Sequence, residues 1–172
     1  EAAIEVVDTK ALTFFQGLLV REAVGLRDAG KSLEETVNIL EKSKGEGGAF
    51  FTIGDLSYLN KGGRIGGLVK LAAVGLGLRP VILFRNGAIS LSAITRKRKK
   101  SLTELARQAA AYLRKSASRL EDYWVQVGYG LSRADGEELL AFFQEALRAV
   151  GFSPEPAPEL SQIGTLVGAH NG

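Results

Sequence analysis

A chain of 172 residues with no cysteine and one histidine, His170, can form no disulfide, no thiolate metal site and no multi-histidine metal site of its own. Apolar residues (45%) and charged residues (24%) stand in the ordinary proportion of a globular protein, and 22 Lys plus Arg against 19 Asp plus Glu leave a net charge of only +3, too little for a chain that tracks nucleic acid along its whole surface. The longest apolar run, around residues 71–78, falls far short of the ~18 residues of a membrane span, and the start lacks the regions of a signal peptide, so a soluble, cytoplasmic protein without stable membrane insertion is expected.

In chain order, Ile4, Glu5, Val6 and Val7 read as a short buried strand ending in a polar turn at Asp8 and Thr9. Phe15, Leu18, Leu19, Ala23 and Leu26 recur at helical spacing to about Asp28, and Gly30 stops that helix. Ser32 and Glu35 have the spacing of a capping box, opening a second helix that carries Val37, Ile39 and Leu40 and fades at Lys44 and Gly45. Residues 49–53 read as a strand, with a domain boundary near Gly54 and Asp55. A chain without methionine that begins in the approach to a strand reads as a piece of a longer protein.

The stretch LSYLNKGGRIGG at residues 56–67 comes next, followed by the apolar run at 68–78. Gly62 and Gly63 let backbone come close to a ligand, and Arg64 stands near a helix N-terminus, where exposed N–H groups and the helix dipole favour an anion. Behind it, Leu68, Leu71, Ala72 and Leu76 offer only hydrocarbon. A cation beside an apolar channel suits a ligand with an anionic head and an apolar tail; the plainer alternative is a loop and a buried helix with Arg64 solvated. The glycines fit neither the dinucleotide fingerprint nor the Walker pattern.

Asn86 and Gly87 between two apolar runs predict a β-hairpin over residues 79–94. Five consecutive cations follow, Arg96, Lys97, Arg98, Lys99 and Lys100, which serve either as solvated charge or to meet an anionic partner. Ser101 and Glu104 repeat the capping-box spacing before an amphipathic helix that reaches about Ser116. Residues 124–129 alternate like a half-buried strand. Ser132 and Asp135 open a helix whose stripe is Leu139, Leu140, Phe143, Leu147 and Val150, and Gly151 closes it. Pro154, Pro156 and Pro158 mark an extended connector, and residues 163–168 read as a last strand delivering His170. From residue 50 on, this order predicts a two-layer α/β domain with a mixed sheet and helices on one face. No paired carboxylates and no nucleophile–base arrangement suggest catalysis, and no cofactor is expected.

Four blocks in order, LSYLNKGGRIGG, GLRPVI, TRKRKKS and the terminal GTLVGAHNG, resemble the DegV family of bacterial fatty-acid-binding proteins. The resemblance covers roughly the last three-fifths of such a protein. It implies a two-domain α/β architecture, with residues 1–53 as the end of an N-terminal parallel-sheet domain and residues 54–172 as the C-terminal domain. It implies a long-chain fatty acid between the domains, its carboxylate hydrogen-bonded by His170, with Arg64 and Arg96 near the mouth of that site as phosphate or partner contacts. It further implies a subunit that is not itself an enzyme and presents the acyl carboxylate to a separate ATP-dependent fatty acid kinase. The sequence departs from the family pattern at Thr9, usually serine, and at Ala169, usually threonine. The competing expectation is a nucleic-acid-associated or other anion-binding module built on Arg96 to Lys100; the first reading needs no nucleic acid.

Overall fold

The computed structural model describes residues 2–54, 77–117 and 119–171, with residues 169–171 given by their backbone. The described residues up to Ala49, together with Phe84–Ala88, gather into one compact unit, and those from Phe50 to Leu83 and from Ile89 onward into a second.

In the first unit, α1 (Thr13–Asp28) and α2 (Leu33–Glu46) form an antiparallel pair joined by a tight turn. Helix α1 ends as the sequence predicts: Gly30 lies at φ 78°, its N–H donates to the Arg27 carbonyl (2.9 Å), and the Lys31 N–H reaches back to Leu26 (3.0 Å). Helix α2 opens with the expected capping box, the Ser32 hydroxyl accepting from the Glu35 N–H (3.1 Å) while the Glu35 carboxylate accepts from the Ser32 N–H (2.9 Å). Leu19 and Leu40 are buried, and the Ser43 hydroxyl donates to Glu22 Oε1 (2.9 Å). Gly47 lies against the Phe15 ring so closely that a Cβ there would stand 2.4 Å from two ring carbons.

The predicted strand at Ile4–Thr9 is absent. A strand is held by a neighbouring ladder, and none lies alongside this segment among the described residues. Ile4 and Val6 are instead 82% and 91% exposed. Asp8 makes a local turn, its carboxylate accepting from the Lys10 N–H (3.0 Å), and its carbonyl takes the Lys44 ammonium (2.9 Å).

The second unit holds two small sheets, apart from Ala49 and the hairpin tip at Phe84–Ala88. The first has the order β1 (Ala49–Thr52), β2 (Arg79–Arg85), β3 (Ala88–Thr95). β2 and β3 form the predicted hairpin; Asn86 (φ 52°) and Gly87 (φ 76°) both take the left-handed conformation that a two-residue turn of this hand requires. The second sheet pairs β4 (Gln126–Tyr129) with β5 (Glu159–Gln162) in parallel, Gln126 opposite Glu159 and Tyr129 opposite Gln162. Helices α3 (Arg98–Ser116) and α4 (Arg133–Ala149) pack on each other and on this framework. Their buried stripes, Leu102, Leu105, Ala106, Ala110 and Leu113 against Leu139, Phe143 and Leu147, close the core with Val81, Val127 and Phe152. The Phe50 ring meets Tyr112 edge to face at 5.6 Å.

Two local expectations are corrected here. Ser101 is not the cap of α3: the helix begins one turn earlier, at Arg98, and Ser101 is fully buried with its hydroxyl donating to the Arg98 carbonyl (2.7 Å). The last strand lies at Glu159–Gln162 rather than at 163–168, and α5 (Thr165–Asn171) follows. The Ile163 N–H makes the final sheet contact, to Tyr129 O (2.9 Å), after which the Gly168 N–H turns back to Gly164 O (3.1 Å) and closes a helical turn. The mixed α/β class predicted from the sequence is the class observed.

Candidate functional site

The basic run sits where β3 hands over to α3. Thr95 ends the strand, its hydroxyl donating to the Arg79 carbonyl of β2 (3.0 Å) and tying the exit of the hairpin to its entry. Arg96 and Lys97 follow in the exposed link, with Lys97 in the extended conformation of an N-cap (φ −115°, ψ 142°). The first helical residue, Arg98, would oppose the helix dipole if left alone. It is not: its Nε donates to Asp135 Oδ2 at 2.7 Å, and both side chains are about two-thirds buried. Asp135 lies in the first turn of α4, where a carboxylate is favoured by the dipole, and its own N–H donates to the Ser132 cap (3.2 Å). One ion pair therefore joins the starts of two helices whose dipoles both favour an acid: Asp135 satisfies its own helix and offsets Arg98 at the start of the other. Lys99 extends over the Phe142 ring at 5.8 Å, a cation–π contact on the same face.

From α4 the contacts continue into the parallel sheet. Gly136 is buried against Tyr129 of β4, where a Cβ would come within 2.8 Å of the Tyr129 Cβ. Beyond Tyr129, the Gly130 carbonyl accepts from the Gln162 amide (3.2 Å), and the N–H of Ile163, just past β5, donates to Tyr129 O. Arg133 pairs with Glu137 at 2.9 Å, and that hydrogen bond, with Tyr129 nearby, raises its guanidinium pKa. Helix α5 starts three residues past β5 and carries His170 in its last turn. A chain of direct contacts thus runs within this unit from the basic link, through Arg98 and Asp135, Gly136 and Tyr129, to the strand that leads into the His170 helix.

Of the site residues named from sequence, Arg96 is exposed at the β3–α3 link. Arg64, Leu68, Leu71, Ala72 and Leu76 lie outside the described residues, as does the imidazole of His170, whose backbone is helical. Sequence reasoning gave Asp135 only a capping role and missed it as the partner of Arg98. No local signal points to it, because the two residues are 37 positions apart. Among the described residues no helix is long and apolar enough to cross a membrane.

The chemistry on offer at the link is anion recognition by cations held on a rigid base. Arg98 is fixed by its carboxylate, leaving Arg96, Lys97 and Lys100 exposed around it. Arg96 can offer a planar two-point fork to a phosphate or carboxylate.

Comparison with known proteins gives concordant results. The model of the DegV family, described as a family of uncharacterised proteins, matches residues 1–172. A DegV domain-containing protein of Deinococcus radiodurans is 30% identical over 169 residues, covering 98% of this chain and 57% of that protein. Among solved structures, a stearic acid-binding protein from Eubacterium ventriosum superposes with a TM-score of 0.84 at 31% identity, over 100% of this chain and 57% of that one. A fatty acid binding DegV family protein from Streptococcus agalactiae gives 0.81 at 25% identity, over 98% of this chain and 56% of that one. The chain spans a little more than half the length of these proteins.

Proposed function

Since this chain belongs to the DegV family, we propose that it binds a long-chain fatty acid and presents the carboxylate to a separate ATP-dependent fatty acid kinase, which forms the acyl phosphate. In this reading the chain carries no catalysis of its own and works in the cytoplasm. Residues 1–53 close an N-terminal α/β domain and residues 54–172 form the C-terminal domain. His170 and Arg64 hold the acyl head group, and Arg64 and Arg96 meet phosphate or the kinase. Leu68, Leu71, Ala72 and Leu76 line the path of the tail.

The observation that carries the reading is the likeness over the whole chain to a stearic acid-binding protein, at 31% identity and a TM-score of 0.84. Physical chemistry supports the division of labour. Burying some ~14 methylenes at ~0.8 kcal/mol each gives about 10 kcal/mol of gross driving force before the cost of immobilising the ligand, so the tail sets affinity. The cations and the imidazole, which touch only the head, set orientation. The basic link supports a partner that brings negative charge, and an acyl phosphate or bound ATP does so.

The reading is tested by reconstituting the protein with a fatty acid kinase, ATP and a long-chain fatty acid. Acyl phosphate is expected only when both proteins are present. Acyl phosphate formed by the kinase alone, or ATP consumed by this chain alone, would contradict it.

A further inference from the structure

Strand β3 is an edge: among the described residues it pairs only with β2. The two-residue turn at Asn86 and Gly87 sets Arg85 opposite Ala88. Antiparallel alternation then directs the N–H and C=O of Ala88, Ser90 and Ser92 toward β2, and those of Ile89, Leu91, Ala93 and Thr95 away from it. Beside the second half of this open edge runs a shallow groove of about 550 Å³, lined by Ala93, Ile94 and Thr95 of β3 and by Lys99, Lys100, Thr103 and Glu104 of α3. Residues of both parities from one strand line it, which is how a groove lies along a strand's edge rather than over its face.

The charges in the groove are unequal. Glu104 is already met by Arg107 at 2.6 Å and by Gln108 at 2.8 Å, and the Arg107 hydrogen bond holds its carboxyl below the usual range. Among the described residues Lys99 meets a ring and no carboxylate, and Lys100 is exposed. The groove thus presents uncompensated positive charge along one wall, bare strand backbone along the other, and the half-exposed Ile94 side chain at the rim.

We propose that the free edge of β3 accepts an extended acidic segment of a partner protein as an added strand. The backbone of the segment would complete the ladder at Ile89, Leu91, Ala93 and Thr95. Its acidic side chains, on every second residue, would face Lys99 and Lys100, and the alternate apolar ones would lie beside Ile94. A second copy of β3 does not fit, because Ala88–Thr95 carries no acidic residue to meet Lys99 and Lys100. This inference stands apart from the acyl-binding reading: it uses only the hairpin and the start of α3.

The probes are two octapeptides, one alternating glutamate with valine and one alternating lysine with valine, added to the full chain. Amide hydrogen exchange is read by NMR. The acidic peptide is expected to slow exchange at Ile89, Leu91, Ala93 and Thr95 by about tenfold or more, and the basic peptide is not. The double variant Lys99→Glu, Lys100→Glu changes two exposed side chains and should reverse the preference between the peptides while the circular dichroism spectrum is kept. Absence of binding, binding that leaves those four amides unprotected, or a preference unmoved by the charge reversal would each overturn the proposal. So would equal displacement of the acidic peptide by a DNA oligonucleotide, which would mark the lysines as a general anion patch.

Discussion

The Nε of Arg98 lies 2.7 Å from Oδ2 of Asp135, joining the first turns of α3 and α4 across 37 positions of sequence. The pair compensates a cation at a helix start, where the dipole disfavours it, with a carboxylate at another helix start, where the dipole favours it. A double-mutant cycle of Arg98→Ala and Asp135→Ala should give a coupling of about 1 kcal/mol that shrinks at high salt, as befits a partly exposed pair. Asp135→Ala alone should cost more than Arg98→Ala alone, because it removes an acid from a helix N-terminus as well. Strictly additive variants would show that the contact contributes nothing.

Two glycine replacements of identical chemistry should act with opposite signs. In α4, the Cβ of Gly136→Ala would stand 2.8 Å from the Tyr129 Cβ, and neither side can yield without moving the helix from the strand. The variant should lose about 1–3 kcal/mol in urea unfolding, despite the helix propensity gained. In α1, Gly17 has nothing within 4 Å of the position a Cβ would take. Gly17→Ala should therefore gain up to about 1 kcal/mol. Equal effects at the two sites would refute the close packing of α4 on β4.

Acid should weaken the first helical pair through Glu35. The Ser32 backbone N–H, then the Lys31 ammonium and the Ser32 hydroxyl, hold the Glu35 carboxyl down at about 2 against an ordinary 4.5. A lowered folded-state pKa means that its contribution is complete above pH 4.5 and is lost as the pH falls from there towards about 2. Glu35→Gln should flatten the stability profile in that window. A variant as acid-sensitive as the parent would assign the loss to other carboxylates.

Under the proposed function, in which the tail supplies the affinity and the head-group contacts the orientation, His170→Ala should lower acyl phosphorylation more than acyl binding. Binding is read by displacement of a fluorescent fatty acid, and phosphorylation by reconstitution with the kinase. Equal loss of both would remove the proposed division between tail and head.

What was legible in the sequence was local. The Ser32–Glu35 box, the Asn86–Gly87 turn and the stops at Gly30 and Gly151 each depend on residues within five positions, so spacing alone identifies them. The failures have the opposite cause. Ser101 and Glu104 have capping-box spacing, yet α3 starts a turn earlier because Asp135, distant in sequence, makes Arg98 acceptable there. Ile4 and Val6 have strand-like residues, but a strand also needs a neighbour, which no propensity supplies. Residues 163–168 are apolar and glycine-bearing, fit for strand or helix, and the parallel pairing that ends at Gln162 leaves them to the helix. At the site, the exposure of Arg96 could be anticipated from its charge, whereas the fixed Arg98 beside it could not.

The central claim is that one long-chain fatty acid occupies this protein, and native mass spectrometry of the protein purified from cells tests it most directly. The account predicts a population heavier by one fatty acid, released on denaturation and identified by its acyl chain. Protein that carries no lipid, and takes up none when incubated with long-chain fatty acids, would contradict it.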